Sequence, residues 1–321
     1  MRVVYVDHTQ LDSFFEKSVC CIGYFDGLHK GHQKLVQRAV ELSKKEGLLS
    51  GIITFDPDPW KVFKPDLECK HLTSLEDKIE LAKNMGLDVF YILYFSKAFA
   101  SLGVDAFHYV LHQMRVEALV CGFDFHYGNK NVGDVHSLKK QPYFSVEVVD
   151  CVHAKDQKIA SSRIEPLIEA GDVYEAAFLS GFIYSIQGTI VHGYKRGSDL
   201  LKIPTANLLA EVEYILPQQG VYAGLVSVED RLHMAMINIG LNPTFENRQM
   251  TIEAHILDFH DMIYDSNVRF YFLKRIRDEV KFDDFSALKQ QLLMDIETSR
   301  AICLENQELI ANTAKTWNKS L

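Results

Sequence analysis

The chain contains no apolar run approaching the ~20 residues that a membrane-spanning helix requires, and no repeat or low-complexity linker. Its first residues, MRVVYVDHTQ, lack the apolar core of a signal peptide. Cationic surplus is missing too. A formal net charge of −9 argues against nucleic acid as a bulk partner, because a phosphate-tracking surface is basic, although local phosphate sites stay open. Six cysteines, at 20, 21, 69, 121, 151 and 303, form no CxxC pair and no disulfide-framework spacing. They are expected as reduced, mostly buried thiols. These absences point to a cytoplasmic chain with neither a membrane nor a nucleic-acid partner. What is present is an ordinary apolar fraction of 47% over 321 residues, room for two domains of about 150 residues each.

The first half alternates. Apolar runs at 3–6, 19–22, 51–55, 88–95, 117–122 and 143–150 read as strands. Helical spacing appears at 34–45, in LEDKIELAKNMG up to Gly86, and in VDAFHYVLHQM. Alternation of this kind predicts a Rossmann-like parallel sheet with helices on both faces, and binding at the carboxyl ends of its strands. Residues 23–32, 55–59 and 122–128 fall there. Beyond about residue 184 the pattern changes to strand-like runs at 186–193, 220–230, 231–240, 250–259 and 267–276. These predict an antiparallel barrel or sandwich. A helix follows, with Leu288, Leu292, Ile296 and Ile302 on one face. The expected domains are 1–184 and 185–321.

One stretch concentrates chemistry. CIGYFDGLHKGHQKLV (from Cys21) passes from a strand through a glycine-rich turn into a helix start, with His29 and His32 three residues apart. A helix start offers unpaired N–H groups and the positive end of the dipole, a natural phosphate seat. Gly27 and Gly31 are expected to let backbone approach a phosphate, and two histidines on one face can address one phosphorus. Such donors suit a crowded transition state from which pyrophosphate departs. HxxH alone would leave a metal under-coordinated, so polyphosphate is the expected ligand.

GYFDGLHKGHQKL resembles the signature of the adenylyltransferase module in bifunctional riboflavin kinase/FAD synthetases. The resemblance continues through TFDPDP (54–59), LTSLEDKIELAKNMGLD, FSKAFASLGVDAFHYVL and VCGFDFHYGNKNVGD, and ends in KIASSRIEPLIEAGDVYEAAFLSG (158–181). It implies a nucleotidyltransferase-like α/β fold. It also implies ATP contacts at Gly23, Phe25, Asp26, Gly27, Gly31, Ser161, Ser162 and Arg163, with flavin contacts at Asp124 and Phe125. Departures are specific. Asp58 stands where a histidine is frequent, His126 where arginine is usual, and Ala160 and Glu165 replace a serine and an arginine. A carboxylate for a cation exchanges attraction of phosphate for repulsion. Ser162 and Glu165 alternatively read as a capping box, with Arg163 near enough to supply the missing cation.

The second stretch is IPTANL (203–208), where Pro204 fixes backbone and Thr205 and Asn207 offer hard oxygen donors of the kind Mg²⁺ prefers. GTIVHGYKRGSDLLKIPTANL resembles the glycine-rich loop and PTAN motif of riboflavin kinases. GVYAGLV, AMINIGLNPTFE, TIEAHILDF and IRDEVKFDDFSALKQQLLMD follow in that family's order. The resemblance implies a kinase barrel with a C-terminal helix, phosphate contacts at Gly193, Gly197 and Pro204, and Mg²⁺ with ATP on Thr205 and Asn207. It further implies flavin contacts at Arg277 and Glu279, and Glu253 as general base. The loop before Pro204 is one residue longer than in bacterial members, and Lys202 replaces a glycine. In TIEAHILDF, Thr251, Glu253 and His255 share one face of a strand, and His255 is expected to be structural. The implied activity is phosphorylation of riboflavin to FMN and adenylylation of FMN to FAD. The alternatives are a monofunctional kinase with a degenerate first domain and a non-catalytic flavin-sensing regulator. Homo-oligomerisation is open.

Overall fold

The strands of the first half form where the apolar runs predict them. In a computed structural model, described for residues 1–11, 14–66, 68–192, 203–210, 212–242, 249–282 and 284–321, six parallel strands make one sheet. They are β1 (Arg2–Val6), β2 (Ser18–Ile22), β3 (Leu49–Asp56), β4 (Val89–Tyr94), β5 (Val116–Gly122) and β6 (Ser145–Val149). Their order is β1-β4-β3-β2-β5-β6. β2 is buried throughout, as a strand covered on both faces must be. The chain runs outward from β2 through β3 and β4, then crosses back to place β5 on the other side of β2. The order therefore reverses between β2 and β5, and their carboxyl ends open onto that switch point.

Helix α1 (Lys30–Glu46) follows β2, buries Leu35, Val36 and Ala39, and stops at Gly47 in the left-handed region (φ 66°). The helix Leu75–Asn84 starts on a capping box of Ser74 and Asp77 and ends before Gly86 (φ 83°), as its sequence predicts. Cys20, Ile22, Tyr91, Leu93, Phe107 and Leu111 belong to the core on one side of the sheet. A two-stranded hairpin, β7 (His153–Ala154) and β8 (Gln157–Lys158), closes this unit.

The second unit begins at Ser161, earlier than the expected 184/185 boundary; the first compact unit is Met1–Ala160. The physical reason is that the helix Val173–Ser180 packs on β14 (Asn267–Arg277) and so belongs with the barrel. That barrel is closed and six-stranded, in the order β10-β13-β12-β11-β14-β9. Its other strands are β9 (Ser185–Val191), β10 (Ala206–Leu209), β11 (Gly220–Val228), β12 (Arg231–Asn242) and β13 (Gln249–Ile256). β10 was not among the expected strands; it begins inside the PTAN stretch.

The single expected C-terminal helix is two, Phe285–Glu305 and Gln307–Thr316, broken at Asn306 (φ −115°, ψ 31°). Leu288, Leu292, Ile296 and Ile302 are only half-buried, and the most buried line of the first helix is Asp295, Ser299 and Cys303. The seam is polar because Asp295 receives Arg277, while the Cys303 thiol donates to the Gly224 carbonyl oxygen. Trp317, only 1% exposed, packs edge-on against Phe182 and Tyr271, with the Arg269 guanidinium 3.8 Å from its ring centroid. All six cysteines are free thiols, five buried and Cys151 half-buried.

Candidate active sites

In the first unit the glycine-rich turn and both histidines lie at the carboxyl end of β2, and residues 122–128 follow β5, so the two flank the switch point. His29 is the N-cap of α1, its Nδ1 accepting the His32 backbone N–H at 3.4 Å. The imidazoles stack at 3.8 Å between centroids and 17° between planes. Phe25, buried and in the left-handed region (φ 57°), sets its ring edge-on to His32 at 5.2 Å. Burial and then Lys158 depress the His29 pKa to about 4. Burial also drives His32 well down, with His29, Lys78 and Lys158 adding to it. Both are therefore neutral near pH 7. His29 accepts through Nδ1, so its proton sits on Nε2, and a buried His32 Nδ1 has no partner among the described residues.

The glycines also make room for neighbouring side chains. A Cβ on Gly27 (φ 77°) would lie 2.8 Å from Leu72 Cδ1, and one on Gly31 would lie 3.1 Å from the His29 ring. Gly31 thus makes room for the imidazole, and Gly27 for Leu72. Gly23 similarly faces the Phe25 ring at 3.3 Å. Asp26 is a brace. Its carboxylate accepts from the backbone N–H groups of Leu72 and Thr73 (3.3 and 3.0 Å) and from Thr73 Oγ1 (3.1 Å), which in turn accepts from Gly27 N (2.8 Å).

Several residues that the sequence did not single out converge here. Lys158 pairs with Asp124, and its charge reaches both histidines. Tyr24 donates to Asp58, and His71 Nε2 stands 3.8 Å from the same carboxylate. Lys78, 4% exposed, lies with its ammonium 3.9 Å over the Tyr24 ring. Asp58 also caps the short helix Pro59–Phe63 by accepting from Trp60 N at 2.6 Å. That helix exposes Trp60 (66%) and Phe63 (56%) just beyond β3. Phe125 is half-buried and stacks on Tyr127 at 5.7 Å, while His126 is exposed and bonds through Nδ1 to the Asp124 carbonyl oxygen at 2.8 Å. Ser161, Ser162 and Arg163, expected with this site, fall in the second unit, where they open the helix Ser161–Glu169, which runs through Pro166. Ser162 therefore lies within the first turn, so the capping-box alternative with Glu165 does not hold.

In the second unit Asn207, Glu253 and Asn238 face one another across β10, β13 and β12 in direct register. Thr205 Oγ1 is 3.5 Å from Glu253 Oε2. Burial raises the Glu253 pKa, offset by Thr205 and reinforced by Glu279. Asn238 Nδ2 donates to Glu279 Oε1 at 3.4 Å, and a Cβ on Gly240 would meet that oxygen at 2.1 Å. Arg277 points its Nε and Nη2 at buried Asp295 (3.0 and 2.6 Å) and its Nη1 at the Asp278 carbonyl oxygen (2.8 Å). Its fork is thereby occupied. Two concavities flank this row. One, of about 240 Å³, is lined by Ile190, Pro204, Thr205, Ala254, Ile256 and residues 259–264. The other, of about 560 Å³, is lined by Leu216, Pro217, Gln218, Gln219, Met250, Asp278 and Glu279. Gly193, Gly197 and Lys202 lie outside the described residues.

A family model for FAD synthetase matches residues 11–163, and one for riboflavin kinase matches residues 180–303. Over 309 residues the sequence is 36% identical to the bifunctional riboflavin kinase/FMN adenylyltransferase of Listeria monocytogenes, covering 94% of this chain and 98% of that protein. The chain belongs to this bifunctional family. The member from Bacillus subtilis is 35% identical, with 92% of this chain and 96% of that one covered. A crystal structure named as a macrolide-efflux protein from Streptococcus pneumoniae superposes with a TM-score of 0.84. It is 33% identical and covers 93% of this chain and 98% of its own. Among the described residues of this chain, no helix is long and apolar enough to cross a membrane.

Proposed function

We propose that this cytoplasmic chain phosphorylates riboflavin with ATP to give FMN in its second unit. Its first unit then transfers AMP from a second ATP to FMN, giving FAD and pyrophosphate. The observation that carries the reading is that each matched region holds its own converged constellation: the stacked His29 and His32 in one, and Thr205, Asn207 and Glu253 in the other. Neither a degenerate first domain nor a non-catalytic sensor is favoured. Both family models match, and a sensor has no use for a half-buried carboxylate poised among a hydroxyl and two amides.

In the kinase, Glu253 accepts the proton of the ribityl 5′-hydroxyl as that oxygen attacks the γ-phosphorus and ADP leaves. Thr205 Oγ1 and the Asn207 amide oxygen are hard donors on one short segment beside that carboxylate, a set that fits Mg²⁺ bound together with ATP phosphates. When bound, Mg²⁺ neutralises phosphate charge. The smaller cavity suits the ATP base, with Pro204 at its wall. The larger concavity beside Glu279 suits the flavin, which the occupied fork of Arg277 would meet through its planar face. In the first unit an FMN phosphate oxygen attacks the α-phosphorus of ATP and pyrophosphate leaves, with no covalent intermediate. His29 Nε2–H, the His32 ring and the N–H groups opening α1 hold the phosphates in place. Gly23, Phe25, Gly27 and Gly31 shape that seat. Asp124, Phe125 and the exposed rings of Trp60 and Phe63 offer the flavin a polar edge and apolar faces.

The test is to incubate the full chain with riboflavin, ATP and Mg²⁺ and to separate FMN from FAD. The parent should make both, and His32→Ala should make FMN but little FAD, since losing one preorganised donor costs about 10²–10³ in rate. A parent that makes FMN but no FAD with either oxidised or reduced flavin would overturn the adenylyltransferase half.

A further inference from the structure

β13 presents more than the general base. Glu253 and His255 are two residues apart and share the same face of that strand. His255 Nδ1 bonds to the Pro204 carbonyl oxygen at 2.8 Å. Pro204 accepts and cannot donate there, so the proton is on Nδ1. Glu253 meets Thr205 Oγ1 at 3.5 Å, and Asn207 pairs with Glu253 in the ladder. The segment 204–207 is thus held at three successive points by one strand. Two of those points already belong to the chemistry. The third, His255, bonds to the Pro204 carbonyl oxygen rather than to the Thr205 or Asn207 oxygens.

We infer that His255 is a positioning residue, whose hydrogen bond to the Pro204 carbonyl fixes the peptide leading into Thr205 and so aims the Thr205 and Asn207 oxygens at the metal–nucleotide complex. Pro204 carries no N–H, so β10 cannot extend its ladder through that residue. The carbonyl that β10 leaves unpaired is taken by the imidazole instead. Thr205 both lines the 240 Å³ cavity and touches Glu253, so a rotation of the 204–205 peptide would move the cavity wall and the oxygen donors together. Groups that orient metal ligands without touching the metal typically contribute about 10- to 100-fold in metal affinity.

This inference rests on the kinase reading of the second unit. The test follows hydrogen–deuterium exchange at residues 203–209 of the full chain, with ADP alone and with ADP and increasing Mg²⁺. The readout is local, so nucleotide held by the first unit does not enter it. In the parent, Mg²⁺ should add protection at these residues beyond that given by ADP alone. Absence of that increment would defeat the kinase reading itself. His255→Phe should need about 10-fold more Mg²⁺ for half-protection, with protection by ADP alone unchanged, and His255→Asn, which keeps a donor, should recover most of the shift. Two results would overturn the inference. One is an unchanged Mg²⁺ midpoint in His255→Phe. The other is equal loss of protection with and without Mg²⁺, which would make the histidine merely structural.

Discussion

Replacing Gly31 by alanine separates what is good for α1 from what is good for the site. In a helix interior alanine is favoured over glycine by up to about 1 kcal/mol, and by less in the first turn, where Gly31 is the second residue of α1. The new Cβ would stand 3.1 Å from both Cε1 and Nδ1 of His29, whereas ordinary contact begins near 3.4 Å, so the ring must retreat by a few tenths of an ångström. That retreat stretches a capping bond already at 3.4 Å, and losing an N-cap costs about 1 kcal/mol. The two effects offset, and thermal stability should change by less than about 1 kcal/mol. The stack on His32 at 3.8 Å cannot survive the shift unaltered. Misplacement of this kind is expensive in rate, and FAD formation from supplied FMN should fall by about 10-fold or more, with KM for ATP less affected than kcat. Riboflavin phosphorylation should not change. Pyrophosphate release and a melting curve on the same preparation make the comparison. A Gly31→Ala protein that adenylylates FMN at the parent rate would refute the view that the His29 ring position matters.

Glu253→Gln should lower FMN formation by about 10²-fold while leaving adenylylation of FMN intact, measured by chromatography of the two products; parent-like phosphorylation would remove Glu253 from the role of base. Acid should loosen the first unit in a definite window. His29 titrates near 4 in the folded chain against an ordinary value of 6.5. Below pH 6.5 the unfolded chain takes up a proton that the folded one refuses, and stability falls toward pH 4 by at most about 1.4 kcal/mol per pH unit. Hydrogen exchange at residues 18–22 between pH 5 and 7 should show a shallower slope in His29→Gln than in the parent, and equal slopes would contradict it.

Much of this was legible because it is local. The strand–turn–helix run from Cys21 declares a parallel-sheet binding loop, and the run 250–259 sets Glu253 and His255 on one face by alternation alone. What stayed hidden depends on long-range convergence. Lys158 reaches the histidines from a hairpin far along the chain, and Tyr24, Asp58 and His71 meet from three separate loops. The second C-terminal helix was missed because a favourable composition runs through Asn306. The barrel-facing seam of the helix before it reads as polar, and only the position of Arg277 explains why Asp295 is buried. Gly31 reads from the sequence as an opening for phosphate, and the fold adds that a Cβ there would crowd the His29 imidazole.

The chain has two tryptophans, and they fall one to each unit in opposite surroundings: Trp60 mostly in water, Trp317 sealed beneath Arg269. Excited at the indole band, the protein carries two optical reporters with different jobs. Melting of the barrel should shift Trp317 emission to the red as its cover is lost. Unfolding of the parallel-sheet unit should leave Trp60 emission almost unmoved, since that ring is already wet. A flavin laid over Trp60 would quench it by stacking. One emission spectrum can therefore follow the stability of the second unit and the occupancy of the first, without a label on either.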